Sequence, residues 1–191
     1  MDCTRAKSTN FLSSSAIYLN LILFSGFAQC GENNSLEGLK KVLEGNSIIW
    51  LFKSTYRPFS YALCHKFEKM LGIEDNIPFR ENYNVYDYRN EATLTENRYW
   101  LRTALIENGG SLSVKLTRLA DRSNTTLNIS LWDGQQQCFL AEFDIDGKSE
   151  CSIFTVGRLP EDDEKVSNCN ARFQSTCRTS VKYSYYAASC R

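Results

Sequence analysis

The side chains able to do covalent or metal chemistry are few. His65 is the only histidine in the 191-residue chain, and it directly follows Cys64. A thiol and an imidazole can serve as nucleophile and base. Adjacent residues of a strand, however, point to opposite faces, so this pair forms no dyad. A Ser-His-Asp triad would need the same His65, and no G-x-S-x-G is present. A zinc site fails on spacing, because there is no C-x-x-C to accompany the single histidine. No glycine-rich phosphate loop is present, and Gly109-Gly110 reads as a hairpin turn. The expectation is therefore a binding protein, with no catalytic residue, no metal and no cofactor.

The cysteines have a different use. All eight suit an oxidising compartment. Arg5 and Lys7 precede the apolar run Ala16–Ala28, which reads as the core of a secretory signal; it is too short and too interrupted by Asn20 and Ser25 to span a membrane. Cleavage after Cys30 satisfies the small-residue rule. It leaves Cys64, Cys138, Cys151, Cys169, Cys177 and Cys190, an even set with 15 connectivities open. Cleavage after Ala28 would leave one cysteine without a partner. The expected organisation is a signal peptide over 1–30 and a single domain over 31–191. Sequons at Asn33, Asn124 and Asn128 agree with a secreted, extracellular glycoprotein. Lys+Arg and Asp+Glu both number 22, and a neutral total provides no steering toward nucleic acid.

The elements that must position these residues are mostly strands. Ser35–Gly45 carries leucines at 36, 39 and 43 and stops at a glycine, which predicts a short helix. The period then changes to two. Strands are expected over Ile48–Tyr56, Tyr61–Met70, Pro78–Tyr88, Arg98–Ile106, Leu112–Leu119, Thr125–Trp132, Cys138–Ile145 and Cys151–Val156. Turn signals at Arg57-Pro58, Leu71-Gly72, Gly109-Gly110, Asp133-Gly134 and Asp146-Gly147 separate them. Close spacing without a long crossover helix predicts an antiparallel barrel or sandwich. A glycan on Asn128 must face water, which turns Leu127, Ile129 and Leu131 inward. A second helix is expected over Lys165–Thr176, with Cys169, Phe173 and Cys177 on one face against the barrel wall.

The order of signal, helix, eight strands, helix and terminal cysteine frames particular residues: Ile49-Trp50-Leu51-Phe52-Lys53-Ser54-Thr55-Tyr56, then Cys64, Cys151, Cys169-x3-Phe173 and Cys190. Together they resemble the tick salivary lipocalins, a family that includes histamine-binding proteins and the japanin-like immunomodulators. The resemblance implies an eight-stranded antiparallel lipocalin-type barrel with a short N-terminal helix and a C-terminal helix on its wall. It also implies Cys64–Cys190 and Cys151–Cys169 bridges, which leaves Cys138 with Cys177. Two departures matter. Amine-binding members tend to carry Asp after the last-strand cysteine and a Glu-Leu-aromatic element before the helix. Here Ser152 follows Cys151, and that element is missing. The expected ligand is therefore a small hydrophobic host molecule (sterol, fatty acid or eicosanoid), in preference to histamine or serotonin. A host protein bound by the outer surface is the competing partner.

The expected ligand-binding residues follow from this frame. Trp50 and Phe52 are placed at the barrel floor. With Cys64 outward, His65 faces in, as a core imidazole or a ligand contact. Phe67, Phe139, Phe143 and Phe154 are inward by the cysteine phasing. Tyr83 and Asp87 have no fixed facing, and an inward Asp87 beside tyrosines would rebuild an amine site. Glu142 and Asp144 share the outer face with Cys138. Trp100 and Tyr99 lie on opposite faces, with neither assigned to the interior.

Overall fold

A computed structural model describes residues 35–57, 62–71, 77–87, 89–109, 111–177, 182–185 and 190. The signal region 1–30, Asn33, Pro58, Tyr61, Gly72, Tyr88 and Gly110 lie outside the described residues. Eight strands follow one another: β1 (Ile49–Ser54), β2 (Ala62–Lys69), β3 (Ile77–Asp87), β4 (Ala92–Asn108), β5 (Ser111–Arg118), β6 (Asn124–Asp133), β7 (Cys138–Ile145) and β8 (Lys148–Val156). Each of β2 to β7 pairs antiparallel with the next, and β1 pairs with both β8 and β2, which closes the sheet into a barrel. Closure removes the free sheet edges. The fold is the expected lipocalin-type barrel, mainly β.

Helix α1 (Leu36–Glu44) plugs one end. Ser35 Oγ accepts from the Gly38 amide at 3.1 Å, and Gly45 N–H closes the last turn on the Lys41 carbonyl at 2.9 Å. Leu39 and Leu43 enter the interior, where they pack with Ile49, Leu51, Val114, Ile129, Trp132, Phe139 and Phe154. Arg102 reaches from β4 and donates to the Leu43 carbonyl at 3.0 Å, so a buried guanidinium ties strand to helix.

Helix α2 (Ser167–Thr176), entered through a 3-10 turn at Glu164–Val166, lies on the outside of β6, β7 and β8. Cys169 and Phe173 are fully buried there, against Phe52, Leu140 and Ile153. Two bridges fasten it, and their partners are exchanged relative to the family resemblance: Cys138 joins Cys169, and Cys151 joins Cys177. Helix direction explains this. The first turn of α2 lies over the start of β7, where Asn168 donates to Asp133 Oδ2 at 2.6 Å; its last turn then reaches β8 at Cys151. Cys64 and Cys190 are bonded, as the resemblance implied.

The barrel seam lies between β1 and β2, which share only the Ile49–Phe67 and Trp50–Lys66 register. The C-terminal segment fills the remainder. A two-residue strand, β9 (Tyr183–Ser184), pairs with Lys53 and Ser54 of β1. Tyr185 N–H then donates to the Phe52 carbonyl at 3.1 Å, and its own carbonyl accepts from Cys64 N–H at 2.9 Å. The Tyr185 ring is fully buried in the interior cluster, with its hydroxyl donating to the Tyr56 carbonyl at 2.8 Å. The Cys64–Cys190 bridge anchors this closing piece.

Bulges decide which side chains face in. Register shifts occur at Leu51/Lys53, Leu63/Lys66, Arg102/Ala104 and Ile129/Leu131. Each adds a residue to one strand, so the alternation changes phase beyond it. In β6, Leu127 and Ile129 face in as expected. After the shift, Leu131 packs toward α2 and Trp132 takes the interior position. In β2, Cys64 sits at φ 53°, a left-handed conformation that a non-glycine residue adopts at a cost; His65 thereby returns to the interior.

Candidate ligand cavity

The interior is not filled. A cavity of about 430 Å³ occupies the open half of the barrel, and a smaller apolar space of about 50 Å³ lies toward α1. The two share Phe67, Trp100, Leu116, Leu127 and Phe154 on their walls. The larger volume falls in the range of small-molecule sites. The wide end is rimmed by Ser123 and Asn124 of the β5–β6 turn and by Asp144 and Asp146 near the β7–β8 turn, all exposed. The narrow end is sealed by Leu43 and Arg102.

Most of the wall is apolar. Phe139 and Phe154 stack with ring centroids 5.0 Å apart, and Phe67 meets Phe154 edge-on at 6.1 Å. Phe143 lines the outer part. Of the expected ligand-binding residues, His65, Phe67, Phe139, Phe143 and Phe154 are therefore brought together on one wall. Tyr83 faces in and is buried, packed on His65 and under the Arg98 guanidinium, beside the cavity.

Three expected residues lie elsewhere. Phe52 is buried on the outside of the barrel beneath α2, because it alternates with the inward Leu51; the bulge at Leu51/Lys53 then turns Lys53 outward as well. Trp50 alternates with the inward Ile49 and Leu51, so it faces out; the Lys66 ammonium lies 5.5 Å above its ring. Asp87 ends β3 and caps the following turn, accepting from the Arg89 amide at 2.9 Å and from Asn90 Nδ2 at 2.7 Å. Asp87 lines neither space, so it brings no carboxylate to the cavity.

The wall also carries polar groups, among them Arg98, Arg118 and Ser152, and one buried carboxylate that the sequence left unassigned. Glu81 is buried at 4% exposure and faces inward from β3. His65 Nε2 lies 2.6 Å from Glu81 Oε1, and Trp100 Nε1–H donates to Oε2 at 2.5 Å. His65 Nδ1 is buried without a hydrogen-bond partner, among the rings of Phe67, Tyr83 and Tyr185. That geometry favours the tautomer with its proton on Nε2, given to the carboxylate, because a proton on Nδ1 would meet only rings. Burial by itself raises the pKa of Glu81, but the hydrogen bonds from His65 and Trp100, with the positive charge of a protonated His65 and of Arg98, outweigh it. The carboxyl is held below its usual range and stays ionised.

Strand pairing explains the cluster. Phe79, Glu81 and Tyr83 alternate along the inner face of β3 and lie directly opposite Trp100, Arg98 and Glu96 of β4. The signal was therefore present as an i, i+2 pattern with one acid in it. Nothing in β3 (no sequon, no cysteine) fixed its phase.

Among the described residues, no group of three His, Cys, Asp or Glu side chains is placed to hold a metal ion, and no helix is long and apolar enough to cross a membrane. Asn124 and Asn128 are both exposed, with their side chains accepting from Thr117 and Ser113.

No family model matches this chain, and no curated protein matches it in sequence. Solved structures do match in three dimensions. Japanin from Rhipicephalus appendiculatus, bound to cholesterol, is similar with a TM-score of 0.53 and 15% identity, over 74% of this chain and 94% of that one. Lobster apocrustacyanin A1 gives 0.45 at 17% identity over 83% and 91%, and the cockroach allergen Per a 4 gives 0.48 at 13% over 74% and 82%. At these identities the similarity to japanin concerns the fold: two chains with little sequence in common close the same kind of barrel.

Proposed function

We propose that this protein is a secreted carrier of the tick salivary lipocalin type. It would be released after removal of residues 1–30, with 31–191 as its single domain. It takes a small, mainly hydrophobic host molecule into the barrel and so modulates host immune or inflammatory responses. The observation that carries the reading is the phenylalanine-lined cavity, open at one end and plugged at the other by α1. Burial of apolar ligand surface there contributes roughly 25 cal/mol per Å². The resemblance in cysteine and aromatic landmarks supports the family. The bridges and the sequons at Asn124 and Asn128, exposed on strands, support secretion. Sterols, fatty acids and eicosanoids are the candidate classes. Organic extraction of the purified secreted protein, followed by mass spectrometry, tests this. A co-purifying lipid is expected; a protein that arrives empty and binds none of the three classes refutes it.

One observation favours a second reading. An ionised Glu81 among aromatic rings has the chemistry of a site for a protonated amine. Titration calorimetry with histamine and serotonin at neutral pH distinguishes the two, and submicromolar binding of either would establish the amine reading. A surface-mediated interaction with a host protein would show itself as activity that survives complete loss of ligand binding.

A further inference from the structure

We propose that Glu81, held by His65 and Trp100, is the specificity-determining anchor of the cavity, and that it selects a neutral ligand carrying a hydroxyl donor over a carboxylate or an ammonium. This inference rests on the cavity-binding reading and narrows it to apolar alcohols.

The geometry points to an acceptor site. Each carboxylate oxygen of Glu81 already accepts one hydrogen bond, from His65 at 2.6 Å and from Trp100 at 2.5 Å. An ionised carboxylate offers about four lone-pair positions, so each oxygen keeps capacity for one more donor. Glu81 lies on the cavity wall at the level where the wide and narrow spaces meet, since its partner Trp100 borders both. Phe67 and Phe154 border both spaces at the same level and supply apolar surface next to the acceptor. A ligand with a rigid or linear apolar body and one hydroxyl can satisfy Glu81 and bury the remainder against these rings.

At the level of Glu81 the charge is already balanced, and the two further acids of the cavity, Asp144 and Asp146, stand at the exposed rim. Arg98 lies directly opposite Glu81 in the β3–β4 register, and its positive charge contributes to keeping the carboxyl ionised. Its guanidinium is placed over the Tyr83 ring, 5.7 Å from the centroid. Arg118, on the same cavity wall, is paired with Asp121. An entering carboxylate would be set beside Glu81 in a medium of low dielectric, where like charges repel strongly. An entering ammonium would meet Arg98 and would leave the cluster with an excess positive charge. A hydroxyl introduces no net charge and supplies the missing donor.

The test is a matched ligand series on the full secreted protein. Cholesterol and its methyl ether, with dodecanol, dodecyl methyl ether, laurate and dodecylamine, compete against a fluorescent sterol probe. Alcohols should bind about tenfold or more tightly than their methyl ethers, which keep the body but lack the donor. Laurate and dodecylamine should bind more weakly than dodecanol. In Glu81→Gln the alcohol preference should shrink to about twofold while ether binding is retained. Ethers equal to alcohols, laurate or dodecylamine as the tightest binder, or a Gln variant that keeps the full preference would each overturn the inference and leave the carrier reading standing. If neither the probe nor any member of the series binds, the carrier reading falls and takes this inference with it. The parent series needs no variant, so a Glu81→Gln chain that fails to fold still leaves a decision.

Discussion

At the residue scale, Glu81 ties cavity chemistry to stability. Its folded carboxyl titrates below the usual glutamate value because two hydrogen bonds and the positive charge of a protonated His65 and of Arg98 outweigh burial. A group depressed on folding contributes stability that is fully present above its unfolded value, about pH 4.3, and is lost as pH falls through the lower folded value. Glu81→Gln should therefore cost about 1–3 kcal/mol at pH 7, and the difference from the parent should shrink toward pH 3. Urea unfolding at the two pH values checks this, and a difference that does not vary with pH would contradict it. His65 and Trp100 bond to different oxygens of Glu81, and in the amide one of these positions becomes an NH2 donor, which leaves one of the two facing a donor. A changed His65 tautomer would restore one bond only by turning an Nδ1 proton toward Phe67, Tyr83 and Tyr185. His65→Ala should likewise cost about 2 kcal/mol, and a double-mutant cycle with Glu81→Gln should show coupling, since the two share one bond.

At the element scale, three bridges fasten two pieces to the barrel. In the chain-entropy picture the stabilisation grows with the logarithm of the loop closed. The Cys64–Cys190 loop spans 126 residues, whereas the α2 bridges span 31 and 26. Removing Cys64–Cys190 as a Ser/Ser pair should therefore cost about 1 kcal/mol more than removing either α2 bridge, whose two costs should agree within about 0.2 kcal/mol. Chemical denaturation of the three double variants decides this. The long bridge also anchors Tyr185 in the seam, so its loss should selectively speed amide exchange in β1 and β2. Non-reducing peptide mapping should recover Cys138–Cys169 and Cys151–Cys177; a Cys151–Cys169 peptide would restore the pairing that the resemblance implies.

At the scale of the whole molecule, the barrel is a closed shell around space it does not fill. Interiors normally pack without such voids, so an unfilled cavity forgoes contacts that a ligand can supply. A ligand that binds only the folded state at 100 times its Kd should stabilise the protein by about 2.7 kcal/mol, read as a higher melting temperature in the presence of lipid. Leu127→Trp places a large ring where the two spaces meet and should abolish that shift, with circular dichroism unchanged. If the proposed immunomodulation is observed and persists in this variant, it belongs to the outer surface.

How much of this was legible in the sequence depends on the range of the forces involved. Periodicity is local, so the two helices and eight strands could be read from residue types within windows of about ten positions. The turn signals and the absence of a crossover made the arrangement antiparallel. Even the inward set of Phe67, Phe139, Phe143 and Phe154 followed, because cysteines and a sequon marked the opposite faces nearby. The bulges could not be read. An extra residue at Ile129/Leu131 changes facing only through the register with a neighbouring strand, and this is why Leu131 turns out to pack toward α2; Trp50 and Phe52 were misplaced because no cysteine or sequon in β1 fixes its phase. The bridge partners of α2 depend on which end of the helix lies over which strand, a property of docking that cysteine spacing does not encode. Sequence alone determined a mainly antiparallel β fold, barrel or sandwich, which the family resemblance narrowed to the barrel, and it marked the six cysteines that pair. Only the tertiary structure decided that His65, Glu81 and Trp100 meet, because three residues on three strands become neighbours through cross-strand pairing and barrel curvature.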